Sequence, residues 1–193
     1  MSNRLRLILL LGTFVVLASL AIWWWQPVQV PTERPMPTVQ HFTPLSEPRP
    51  VPDEVFYDED GVERRFADFR GKGIVLNFWA TWCGPCVREL PSLDRLADRI
   101  AEEDIVVLPL SQDRKGLAIV RPFYKRLGIK NLGIYLDPKG RVAARFGLGS
   151  LPVTVFIDRE GRIVGSLLGL AEWDTPEAVT LVRSYLGKPP TGN

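Results

Sequence analysis

Ile74-Val75-Leu76-Asn77-Phe78-Trp79-Ala80-Thr81-Trp82-Cys83-Gly84-Pro85-Cys86 decides how this chain is read. Its first seven residues form a near-continuous apolar run rich in strand formers, the pattern of a strand buried on both faces. Beyond it, Leu90, Leu93, Leu96, Ala97 and Ile100 recur at helical spacing. An amphipathic helix is therefore expected to about Glu102, kinked at Pro91. The two cysteines lie where the strand ends and the helix begins. Helix starts present unpaired N–H groups and a positive dipole end, which stabilise a thiolate. A cysteine pKa of about 8.5 falls to about 7 or lower in such a place. Cys83 comes first and is expected to be the exposed nucleophile. Cys86, one turn along and more enclosed, would resolve the mixed disulfide that Cys83 forms. Pro85 suits the first helical turn, where its missing N–H costs little.

Cys83 and Cys86 are the only cysteines of 193 residues. None remains for a structural bridge, so they point to chemistry rather than scaffold. A CxxC pair is also half of a metal site. Structural zinc wants four Cys or His ligands, and the single histidine, His41, lies far upstream with no cysteine near it. No metal ligand or cofactor-binding residue is therefore assigned, the redox group being the Cys83–Cys86 pair itself. A Cu(I)-binding chaperone module using both thiolates stays open as an alternative, which a copper titration would decide.

Working outward, Val55 to Phe66 reads as a hairpin around Asp60-Gly61, and Ile105 to Ser111 as a second buried strand. Leu117 to Leu127 reads as a helix closed by Gly128. Ile134 to Leu136 is short and strand-like, and Val142 to Phe146 a helical turn. Val153–Ile157 and Arg162–Leu168 flank Asp158-Arg159-Glu160-Gly161 as a hairpin. Thr175 caps a last helix that runs to Leu186 and is closed by Gly187. This order predicts an α/β fold, a central mixed β-sheet flanked by helices.

Upstream, Leu7 to Trp25 is 19 residues without a charge. As a helix at about 1.5 Å per residue it matches the ~30 Å hydrocarbon core. Arg4 and Arg6 precede it and Trp23, Trp24 and Trp25 end it, so an N-terminal transmembrane helix with a cytoplasmic N-terminus is expected over 1–26. A cleaved signal peptide, cut after Ser19-Leu20-Ala21, is the competing reading, and either exports the rest. Residues 27–52 hold eight of the 17 prolines. They are expected to form an extended spacer without ladder or helix, with His41 a solvated bystander. Such a spacer reaches at most roughly 80 Å at ~3.1 Å per residue. The domain is then 53–193. From Asp53 onward 20 basic residues face 20 acidic ones, so no nucleic-acid footprint is present.

The segment Phe78-Trp79-Ala80-Thr81-Trp82-Cys83-Gly84-Pro85-Cys86 resembles the active-site signature of the thioredoxin superfamily. Arg88-Glu89-Leu90-Pro91 resembles its exported TlpA/ResA-like branch of membrane-anchored thiol–disulfide oxidoreductases, which includes cytochrome c maturation reductants. The resemblance runs from about Glu54 to Leu186 and extends to the anchor. It implies a thioredoxin-like fold and reduction of disulfides in periplasmic apoproteins, such as apocytochrome c or copper-site proteins of cytochrome oxidase. It further implies a single-pass inner-membrane protein facing the periplasm, with a membrane electron donor of the thiol-transfer type. Leu151-Pro152 matches the family's cis-proline, which would turn the Leu151 backbone toward Cys83 and a substrate segment. Glu89 matches an acidic position of the branch, near the cysteines. Thioredoxins proper carry a buried aspartate six residues before the first cysteine, where this chain has Asn77. Asparagine cannot accept the Cys86 proton, so that route would pass through Glu89 or water. The resemblance thus gives Cys83, Cys86, Glu89, Pro152 and Trp82 as site residues, with specificity around Trp82, Leu151 and Ser111–Gly116. A disulfide oxidase or isomerase built on the same pair is the alternative within the superfamily, although Gly84-Pro85 resembles the dipeptide of its reducing members.

Overall fold

The computed structural model describes residues 37–188. The anchor expected over 1–26, and the start of the spacer, lie outside them. Among the described residues no helix is long and apolar enough to cross a membrane.

Among the described residues eight strands form one mixed sheet: β1 (Thr43–Pro50), β2 (Phe56–Asp58), β3 (Glu63–Arg64), β4 (Gly73–Trp79), β5 (Ile105–Ser111), β6 (Tyr135–Leu136), β7 (Val153–Ile157) and β8 (Arg162–Leu168). Their order is β1-β8-β7-β4-β5-β6-β2-β3. The apolar run quoted at the outset becomes β4, every residue of which is buried. It pairs in parallel with β5 and antiparallel with β7, so it has a neighbour on each side. Alternation along β4 then divides the core. Val75 and Trp79 face α1 (Gly84–Arg99), α2 (Leu117–Leu127) and α4 (Pro176–Leu186). Ile74, Leu76 and Phe78 face a second cluster with Phe56, Phe66 and Val142, the last on the short α3 (Arg141–Arg145). Most of the helical cover therefore lies on one face, and an aromatic cluster closes the other.

Local signals place the helices as their residue types dictate. Gly128 adopts the left-handed conformation that ends α2, and the Thr175 side chain accepts from the Ala178 N–H at the start of α4. α1 continues through Pro91 to Arg99, three residues short of the expected end. The Asp94 carboxylate, on its buried side, accepts from the N–H groups of Lys130, Asn131 and Leu132 at 2.7–3.1 Å and ties α1 to the segment after α2.

The spacer expected over 27–52 needs correction. From Pro37 onward the chain belongs to the folded body, and Thr43–Pro50 is a sheet strand. β1 pairs antiparallel with β8, with a register shift between Pro44 and Arg49. An edge strand bonds along one side only, and that is where prolines are tolerated. Proline count alone hid this. Phe42 then packs on Phe156 and Tyr185, at ring-centroid distances of 4.7 and 4.9 Å. Gly165 makes room for that ring, because a Cβ there would meet Phe42 and lie 3.0 Å from the Thr43 carbonyl oxygen. Gly165→Ala is therefore expected to push Phe42 off its aromatic seat and cost about 1–3 kcal/mol in urea unfolding. Gly61→Ala, at a turn with open space around it, gives a comparison in which only backbone conformation is penalised.

Candidate active site

Cys83 is the N-cap of α1 and Cys86 lies in its first turn. The two form a disulfide with a Cα–Cα distance of 5.3 Å. The Cys86 N–H points at the Cys83 sulfur, 3.3 Å away. A reduced Cys83 would thus have a backbone donor and the helix dipole on its side. Cys83 is 6% exposed and Cys86 1%. The order matches expectation but the degree does not, since Cys83 too is a buried residue. Beside them Trp82 is 70% accessible, and Pro85 is exposed as well.

Glu89, one turn beyond Cys86 on α1, is fully buried. A solvated helix glutamate is thereby excluded. Burial raises its pKa from 4.5 to about 7, against the opposing pull of donors from the Trp173 indole, the Ala171 N–H and the Asn77 amide. The Trp173 Nε1–H is the shortest of these contacts, and the Ala171 N–H and Asn77 Nδ2 lie at 3.3 and 3.5 Å. Asn77, on β4, also donates to Thr154 Oγ1 at 2.9 Å, while its Oδ1 has no hydrogen-bond partner among the described residues. Asn77 therefore occupies the place of the expected buried acid but serves Glu89 as a donor. Trp173→Phe removes one donor to the carboxylate. It is expected to raise the Glu89 pKa further, by roughly one to two pH units, in an infrared titration of the carboxyl band.

The Leu151–Pro152 peptide bond is cis. Pro152 precedes β7, and its carbonyl accepts from the Gly169 N–H at 2.9 Å. Among the described residues no hydrogen bond engages the N–H or C=O of Leu151. The cis-proline loop, Thr154 and the 169–173 segment are thus joined to Glu89 through Asn77, Ala171 and Trp173.

Two participants escaped sequence reasoning. Trp173 carries no motif, and only its burial against Glu89 reveals it. Asp113 lies in the 111–116 loop, which the sequence marked only as a specificity surface. It is 5% exposed and holds Thr81 by both its N–H and its hydroxyl, at 2.9 and 2.7 Å. His41 is exposed. Among the described residues no group of three or more His, Cys, Asp or Glu is placed to hold a metal ion.

Known proteins resemble this chain in sequence and in fold. The AhpC/TSA family pattern matches residues 48–166. The thiol–disulfide oxidoreductase ResA of Geobacillus thermodenitrificans is 36% identical over 119 residues, which cover 62% of this chain and 67% of that protein. ResA of Bacillus subtilis is 30% identical over 125 residues, covering 65% and 69%. The exposed lipoprotein thioredoxin Etrx1 of Streptococcus pneumoniae superposes with a TM-score of 0.59 at 34% identity, over 69% of this chain and 99% of that one. StoA of Bacillus subtilis shares the fold, with a TM-score of 0.56 at 22% identity over 69% and 98%.

Proposed function

The chain belongs to the AhpC/TSA family and, within it, to the ResA-type thiol–disulfide oxidoreductases, and from that premise we propose that it reduces disulfides of exported apoproteins in the periplasm. The observation that carries this reading is the Cys83–Cys86 pair at the start of α1 with the buried Glu89 carboxyl one turn behind it. The Cys83 thiolate attacks one sulfur of a substrate disulfide. A Cys83–substrate disulfide forms and one substrate thiolate leaves. Cys86 then attacks the Cys83 sulfur, the second substrate thiolate leaves, and the Cys83–Cys86 disulfide remains. Two electrons have passed to the substrate. The Cys86 thiol must lose a proton to attack, and Glu89, with a pKa near 7, is matched to take it. Trp82 offers an apolar platform beside the sulfur. Leu151 offers its unengaged N–H and C=O to an extended segment across the cis-Pro152 loop.

The reducing direction has a physical support of its own. A carboxylate behind Cys86 disfavours a second thiolate, and so disfavours the reduced pair relative to a site without it. The apolar run over 7–25 would hold the domain at the inner membrane, facing the periplasm. There a membrane donor of the thiol-transfer type must return two electrons per cycle. Apocytochrome c and copper-site proteins of cytochrome oxidase are the substrates this setting favours. Alkylation trapping in intact cells tests the reading. It predicts a Cys83–Cys86 pair that is mostly dithiol while the donor works. A pair found almost wholly oxidised under those conditions would overturn the reducing direction.

A further inference from the structure

A groove of about 480 Å³ lies beside the redox pair, lined among others by Trp82, Ile119, Arg114 and Lys115. Its floor is built before any substrate arrives. Asp113 turns its carboxylate inward, where it takes the Thr81 N–H, the Thr81 hydroxyl and the Ser111 hydroxyl at 2.7–2.9 Å. The Gln112 N–H donates to the Trp79 carbonyl at 2.8 Å. The 111–116 loop is therefore fixed to the segment that carries Trp82. Among the described residues Asp113 is the groove's only acid, and its oxygens are already committed.

The two cations are not. Arg114 and Lys115 are exposed, and neither makes an ion pair among the described residues. Arg121, in the second turn of α2, is by contrast paired with Glu59 at 3.1 Å. Arg88, exposed on α1 just after Cys86, is likewise without an ion pair there. The opposite flank presents half-buried Leu151 and Leu168, which is 69% exposed and pairs in register with Val153 next to Pro152. The surface around the sulfurs is thus cationic on the Trp82 side and apolar on the proline side.

We propose that this groove selects protein disulfides flanked by acidic side chains, which Arg114 and Lys115 receive while the substrate backbone lies along Leu151. This rests on the disulfide-reductase reading above and adds a substrate class to it. Exposed cations at a reaction site act mainly by steering encounter, so the effect belongs in kcat/KM and fades with salt.

The test uses the full-length protein, reduced beforehand, and three synthetic peptides that share one intramolecular disulfide. Their flanking residues are aspartate, serine or lysine. A small uncharged dialkyl disulfide serves as a fourth substrate. The expected order of kcat/KM is acidic, then neutral, then basic, spanning about tenfold at low salt and collapsing toward unity near 1 M salt. In an Arg114→Glu/Lys115→Glu variant the acidic-to-neutral ratio should fall below one. A misfolded variant lowers both rates but does not invert their ratio. Turnover of all peptides with no charge order, or an order untouched by the double substitution, would overturn the inference alone. Failure to reduce any of the four substrates would overturn the reductase reading, and this inference with it.

Discussion

Cys86→Ser is expected to accumulate a covalent Cys83–substrate disulfide and to lose turnover by about 10³-fold or more. Effective molarities of well-placed intramolecular groups reach about 10⁵–10⁸ M. Cys86 sits within disulfide distance of the Cys83 sulfur, as the bond between them demonstrates. Even a small part of that advantage exceeds what an external thiol at about 1 mM supplies, which sets the size of the loss. Cys83→Ser loses turnover as completely but traps nothing, because attack begins there. Non-reducing mass spectrometry separates the two outcomes. An adduct on Cys86 of the Cys83→Ser variant, with none on Cys83 in the Cys86→Ser variant, would reverse the assigned roles. The same trap names the substrate.

The second large effect concerns Glu89. Its folded pKa is raised from 4.5 to about 7 by burial, the donors of Trp173, Ala171 and Asn77 offsetting only part. Between those two values the folded protein holds a proton that the unfolded chain has released. Stability therefore falls as pH rises through that window, by about 3 kcal/mol in all. Glu89→Gln removes the titration. Its stability curve should be flat where the wild type declines, and the variant should be the more stable protein at pH 8. Urea unfolding of the oxidised protein checks this without interference from cysteine ionisation, since both sulfurs are in the disulfide. Activity should move the other way. Below about pH 7 Glu89 is protonated and accepts nothing, so the resolving step of the wild type speeds up as pH rises through 7. Glu89→Gln should lose that limb and resolve about 10²-fold more slowly, the low end of what a positioned base contributes. A variant with altered stability but an unchanged rate–pH profile would make Glu89 a structural group only.

The part of the molecule legible in the sequence is the part with strong local signals. Unbroken apolar runs gave β4, β5 and β7, and Thr175, Gly128 and Gly187 gave helix ends, because capping and burial act on a few neighbouring residues. β1 is hidden in the sequence because its strand character comes from β8, 112 or more residues away, and not from its own prolines. In the site, Cys83 and Cys86 are marked by residue type and spacing, and Pro152 only by the resemblance to the thioredoxin superfamily. Glu89 is marked by the resemblance as a position, but its burial depends on Trp173 and Ala171, more than 80 residues downstream. Asp113 is equally silent in one dimension, since an aspartate in a polar loop reads as solvated until Thr81 is seen against it.

Everything proposed above requires Cys83 and Cys86 to act as a reductant. The most direct measurement is the two-electron reduction potential of the pair at pH 7, followed by tryptophan fluorescence during equilibration with glutathione or dithiothreitol. A reducing pair has a value below about −200 mV, the range of reducing dithiols, and that is the expected result. A value near about −120 mV, that of a strong dithiol oxidant, would contradict it.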